Sequence, residues 1–266
     1  MDLRERALRV LCLGDVDEKL AGALALQAQA ATLPIAIAAS ITPPRALPGL
    51  PTRPALLPPT QVPRRSPASV EGRAALVHAI AHIEFNAVNL ALDAVWRFPG
   101  MPEAYYRDWT RVAAEEAHHF ALLRTHLRTF LAHDYGDFPA HQGLWSMCEQ
   151  TGGDIVARMA LVPRTLEARG LDATPLIQRK LRAVGTPDAL DAVAILDLIL
   201  REEIGHVAIG NHWYHWLCTQ RSLEPLAHYQ RLARHYRAPR AKPPLNGAAR
   251  RAAGFTDAEL HWLAGH

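Results

Sequence analysis

Two short stretches constrain this chain more than any other feature: Glu115-Glu116-Ala117-His118-His119 and Glu202-Glu203-Ile204-Gly205-His206. Each holds a Glu followed three residues later by a His, and each lies in a long run with apolar residues at helical spacing. Three residues on an α-helix turn through about 300° and rise about 4.5 Å, so such a pair shares one face. Where that face is otherwise apolar it points into a core, and a carboxylate there is costly unless a partner meets it. A chain that does this twice is committed to helices with polar groups converging inside them.

The apolar stripes choose the register. Val112, Glu116, His119, Phe120, Leu123 and Leu127 share one face, whereas Glu115 falls with Arg111 and Thr125. Glu116 and His119 are therefore expected to point inward, with Glu115 and His118 as the alternative register. In the second stretch Leu196, Ile199, Leu200, Glu203, His206, Val207 and Gly210 align, which selects Glu203 and His206. Each pair follows a helix with a lone Glu. Glu84 sits among the apolar positions Val77, Ile80, Ile83, Ala87, Val88, Ala91 and Val95. It lies as far before Gly100 as Glu116 lies after it, so the two should meet at one height across a helical hairpin. The counterpart before Gly185 is Glu167, with Glu149 and Asp154 as fallbacks, because an expected break between Gly170 and Pro175 weakens the height argument.

Glu84, Glu116, His119, Glu167, Glu203 and His206 form a donor set of hard oxygens and borderline nitrogens. It suits two Fe ions, with Mn as the alternative, and leaves positions open for oxygen or a substrate. Zinc would bring thiolates or a three-His set. Glu115 and Glu202 are expected to reach the far nitrogens of the ligand histidines and fix their tautomers. Ala81, Ala87, Ala113, Ala160 and Gly210 are expected to leave room for a cavity, and no Tyr falls on the inward helix faces near the ligands. A single Glu-x-x-His is common on solvated helix faces; two inward copies, each with a matched Glu, carry the reading. His78, His82 and His126 are read as satisfied or partly exposed histidines, and Trp109, Trp145, Trp213 and Trp216 as packing.

The rest of the chain divides by composition. Residues 1–40 read as an N-terminal helical extension with a break at Gly14-Asp15, and residues 41–69 as a proline-rich strap that excludes helix and central strand. Residues 70–220 hold the metal-binding helices, and residues 221–266 form a basic C-terminal helical extension. Predicted helices run over 70–97, from Pro102 to about 133, over 145–170 with a kink at Pro163, from Pro175 to Gly185, from 188 to about 220, over 225–236 and over 256–263.

The net charge of +3 over 266 residues is too small to imply nucleic acid by itself. Cys12, Cys148 and Cys218 are isolated, which suits a reducing cytosol. No secretory signal is expected, and the stretch Leu20–Ala39 is too interrupted by Gln27, Gln29 and Pro34 to span a membrane. Arg53, Arg64 and Arg65 on the strap read as solvated. Arg231, Arg234, Arg237, Arg240, Lys242, Arg250 and Arg251 read as a solvated basic face, with RNA contact as the lesser alternative.

The runs Glu-Ala-His-His-Phe around Glu116, Glu-Ala-Arg-Gly around Glu167 and Glu-Ile-Gly-His-Val around Glu203 resemble the ferritin-like family DUF455. More distantly they resemble the MiaE type of tRNA-modifying di-iron hydroxylase. The resemblance covers roughly Val70 to Cys218. It implies an all-α, ferritin-like four-helix bundle with extra N- and C-terminal helices and a proline-rich strap, and a di-iron site on the six residues above. One departure is Glu202, where ferritin-like oxidases often place Asp. The expected function is an O2-dependent di-iron oxidoreductase, a monooxygenase or hydroxylase acting on tRNA or a small organic molecule. The alternatives are a ferroxidase or peroxide-detoxifying protein, and a non-enzymatic helical adaptor. Expected partners are O2 or peroxide, an unnamed electron donor, and a second copy of the chain in a homodimer; no membrane partner is expected, and the cytoplasm is the expected location.

Overall fold

The computed structural model describes residues 1–63 and 65–265; Arg64, used above among the strap cations, and His266 lie outside them. The regular structure is helical, and among the described residues the one strand-like pairing is an isolated parallel bridge between Leu56 and Ala140. By proximity the chain divides into two compact units, Met1–Trp145 and Ser146–His266.

In the first unit, α1 (Leu3–Leu11) starts at Asp2, which forms a capping box with Glu5. Asp15 caps α2 (Val16–Gln29), placing the break where Gly14-Asp15 predicts it. The hairpin is α3 (Val70–Arg97) and α4 (Glu103–Phe130), the former capped by Ser69. Gly100 turns the chain between them at φ +82°, a left-handed conformation suited to glycine. α1 packs on α3 and α2 on α4. With α3 covered from several sides, every residue from Glu84 to Trp96 is buried. Ile83, counted above among the apolar positions, is exposed: it stands about 100° round from Glu84. By length and composition α3 could cross a membrane, but 72% of that apolar window is buried within the protein.

Buried cations hold the N-terminal helices and the strap to this hairpin. The Arg4 guanidinium donates to the carbonyls of Ala36 and Ala39 and, at 2.7 Å, to that of Trp96. The Lys19 ammonium donates to Gly49 O and to Asn89 Oδ1. A proline-rich segment makes few backbone bonds of its own, so its place is set by such donors and by scattered pairs such as Leu57 N to Ala140 O.

The second unit corrects the third predicted helix, which is not continuous. α5 (Gly143–Gln150) begins in the first unit and ends in the second; α6 (Ile155–Leu161) follows after a turn. Val162–Glu167 then forms a π-helical turn, α7 covers Ala168–Val184 and α8 covers Pro187–Gln220. The break before α6 is built by Asp154, whose carboxylate accepts from the backbone N–H groups of Val156 and Ala157. Pro163 explains the π-turn: it cannot donate to the carbonyl four residues back, and its ring crowds that carbonyl. The widened turn is held in part by Thr165, whose hydroxyl donates to Ala160 O at 2.8 Å.

The predicted break between Gly170 and Pro175 is absent, since α7 runs through both. Pro175 leaves the carbonyl of Leu171 without its helical donor, and Asn246 supplies one through Nδ2 at 3.2 Å. α7 ends at Gly185, φ +72°, as the sequence predicts. The tail holds α9 (Pro225–His235), α10 (Gly247–Ala252) and α11 (Asp257–Leu263). α10 has no counterpart among the helices expected from the sequence. It is held by burial of Ala249 and Ala253 with Ala168, Leu171 and Val207, and by Arg250, which pairs with Asp172 at 2.7 Å.

Candidate metal centre

The first unit brings three of the six predicted ligands together. Glu84 on α3 and Glu116 and His119 on α4 are buried, and one ligand atom of each lies within 4.8 Å of those of the other two. His119 turns Nδ1 toward both carboxylates, 3.3 Å from Glu84 Oε2 and 3.5 Å from Glu116 Oε2. His118 is exposed, which sets the register of α4 in the structure. Glu115 and Glu202 are half-buried beside the inward glutamates.

The second unit pairs Glu203 with His206, again through Nδ1, at 3.2 Å from Glu203 Oε1. His206 is buried, and the Glu203 side chain is largely so. Glu167, the last residue of the π-turn, is buried on the segment that packs against α8. The fallback residues do other work or face water: Asp154 caps α6, and Glu149 is exposed.

Electrostatics in the first unit shows what such a cluster asks for. Burial, and then the charge of Glu116, push the Glu84 carboxyl up to about 8. Burial alone would lower the His119 imidazole, but hydrogen bonds and charge from Glu116 and Glu84 outweigh it and push it up to about 11. The two carboxylates thus favour positive charge on the imidazole between them. Two carboxylates and one imidazole nitrogen, buried and close, are a donor set that could hold a metal ion.

A hydrogen-bonded chain that the helical stripes do not reveal lies on the same hairpin. His82 is buried, with Nδ1 2.8 Å from Tyr135 Oη and Nε2 3.1 Å from the His141 carbonyl. Nε2 also lies 3.0 Å from the Asn86 Nδ2 donor, and Nδ1 and the tyrosine O–H share one proton contact whose direction follows the imidazole tautomer. Burial pushes the His82 imidazole down to about 4 and raises the Tyr135 phenol. The Tyr135 ring packs on Phe85 and Phe120, the residues that follow Glu84 and His119. No tyrosine is expected on the inward helix faces near the ligands, and Tyr135 comes instead from the irregular stretch after α4. Its signal in the sequence is one of two aromatic residues, with Phe138, in the irregular stretch between Asp134 and Leu144.

Gly210, expected to leave space for a cavity, makes room for the Pro163 ring: a β-carbon built on it would lie 2.5 Å from Pro163 Cβ.

The family model described as "Protein of unknown function (DUF455)" matches residues 12–261. An uncharacterized protein of Haemophilus influenzae is 53% identical over 220 residues, which cover 80% of this chain and 75% of that relative. No solved structure matches.

Proposed function

The chain belongs to the DUF455 family, and because that description carries no activity we propose its function from the two buried Glu-His pairs: a di-metal carboxylate oxidoreductase that uses O2. Glu84, Glu116 and His119 would hold one ion, and Glu167, Glu203 and His206 the other. The ground for joining them in one ferritin-like bundle is the repeated pattern in the sequence, a lone Glu followed by Glu-x-x-His. The observation that carries the reading is the buried trio in the first unit, where two carboxylates and an imidazole stand within one ion's reach. A pair of Fe or Mn ions would supply the electrons for reducing O2 or peroxide.

The chain's own residues would do the rest. His119 and His206 each turn Nδ1 to a carboxylate, so Nδ1 is the donor atom in both halves. Glu115 and Glu202 would orient these rings from the outer side. Tyr135 and His82 form a proton path two residues from Glu84, with the proton held at Tyr135 Oη or His82 Nδ1. The apolar walls at Phe85, Phe120 and Leu123 exclude water from the trio.

The test is a single-turnover assay on reduced, iron-loaded protein, following O2 uptake with an oxygen electrode. Stoichiometric uptake that is lost in Glu116→Ala supports the oxidoreductase. Loaded protein that consumes no O2 or peroxide turns the reading toward a metal-stabilised scaffold.

A further inference from the structure

The second unit contains a cavity of about 650 Å³ that lies outside the six proposed ligands. Five arginines line it, Arg164, Arg234, Arg237, Arg240 and Arg250, and among the described residues the lining contains no acid. Arg234, Arg237 and Arg240 are exposed, whereas Arg164 and Arg250 are fully buried.

The two buried guanidiniums are only partly satisfied. Arg164 pairs with Glu259 and lies against the rings of Tyr214, Tyr229 and Phe255. Its Nε and Nη1 have no hydrogen-bond partner among the described residues. Arg250 binds Asp172 through Nε and Nη2, and its Nη1 is likewise without a partner among the described residues. Buried charged donors left unmade are costly, so a cavity lined by the two residues that carry these three atoms is suited to receive an acceptor. Guanidinium forks match the paired oxygens of carboxylate and phosphate. With Glu259 and Asp172 each balancing one guanidinium, the exposed Arg234, Arg237 and Arg240 leave net positive charge for a doubly charged phosphate.

We propose that this cavity binds a small phosphomonoester, with its phosphate against Arg164 and Arg250 and its body toward Trp262. Three features select that class. The volume falls in the roughly 300–1,000 Å³ range of small-molecule sites. A terminal phosphate carries nearly two charges at neutral pH and can enter a recess, whereas an internal phosphodiester of a polymer stays on its chain. Trp262 is half-buried on the lining and packs against Tyr229 at 5.0 Å, offering an apolar wall.

The test is equilibrium dialysis of the full-length, metal-free chain against inorganic phosphate, adenosine 5′-monophosphate and adenosine. Metal-free protein keeps the result separate from the di-metal reading. One monophosphate should bind per chain, more tightly than inorganic phosphate, with adenosine weaker by about ten-fold or more, the scale of a lost charge-assisted contact. Arg234→Ala with Arg237→Ala, both exposed, should weaken the monophosphate by a similar factor and leave helicity unchanged; Arg164→Gln should remove binding. Equal retention of adenosine and its monophosphate, no retention of either phosphate at millimolar concentration, or indifference to the arginine changes would overturn the proposal. So would tight capture of a 5′-hydroxyl single-stranded RNA by a protein that ignores the monophosphate, which would assign these arginines to a polymer.

Discussion

Gly210 on α8 lies directly under the ring of Pro163, close enough that a β-carbon at 210 would stand 2.5 Å from Pro163 Cβ and 2.7 Å from its Cγ. The π-turn that ends at Glu167 is therefore shaped from two sides, by a proline that cannot donate and by a glycine that lets its ring approach. Gly210→Ala should force the two segments apart and cost about 1–3 kcal/mol, the usual scale of overpacking. It should also lower metal affinity through displacement of Glu167. Urea denaturation and metal titration check both, and a stability loss within about 0.5 kcal/mol would mean the packing is slack.

Asn246 substitutes for the N–H that Pro175 lacks, donating through Nδ2 to the carbonyl of Leu171. Asn246→Asp keeps the oxygen that caps α10 and loses the donor. It should cost about 1–3 kcal/mol, as a buried carbonyl loses its partner and meets a carboxylate. Pro175→Ala restores the helical N–H, so in that background the same change should cost clearly less. Additive losses in a double-mutant cycle would show that the bond contributes nothing.

His78 makes acid stability measurable. It is buried, accepts from the Gly136 N–H at Nε2, and stacks on Tyr135. Burial pushes its pKa from 6.5 down to about 4. Below pH 6.5 the unfolded chain takes up a proton that the folded one refuses, so stability falls between about pH 6.5 and 4 and levels off below. The loss should approach about 3 kcal/mol, since one proton refused costs about 1.4 kcal/mol for every pH step of one across that window. Comparing denaturation midpoints of the protein and His78→Phe over the same range isolates the histidine's contribution. Parallel curves would assign the acid loss to other groups.

The first hairpin was legible in the sequence because its logic is local. Glu84 and Glu116 stand symmetrically about Gly100, and the stripe with Phe120 and Leu123 fixes which of two adjacent Glu-x-x-His pairs turns inward. The third helix misled because its punctuation is resolved by residues far away. Pro175 sits mid-helix where Asn246, far along the chain, supplies the missing donor, and the Pro163 ring of the π-turn packs on a glycine in α8. α10 is a six-residue helix stabilised by partners on other elements, and no period can be read from so short a stretch. Tyr135 and Arg164 were missed, and Arg250, read above as part of a solvated basic face, is instead buried against Asp172; each gains its role from groups outside its own segment.

Glu116 and Glu115 give a paired control for the metal reading. Glu116 is fully buried against His119, whereas Glu115 is half-buried. Glu116→Ala should reduce bound iron by about half or more, while Glu115→Ala should leave content near that of the parent and weaken affinity by roughly 10–100-fold, as outer partners do. Metal analysis after loading and desalting checks this, and equal losses would place Glu115 among the ligands.

The most direct measurement is Mössbauer spectroscopy of the full-length chain loaded with ⁵⁷Fe and exposed to air. If the six donors share one centre, as proposed, the chain should hold two irons with coupled spins and a diamagnetic ground state, because only ions a few ångströms apart couple. One iron per chain, or two that behave as isolated high-spin ions, would contradict a shared centre and leave the two Glu-His pairs as separate sites.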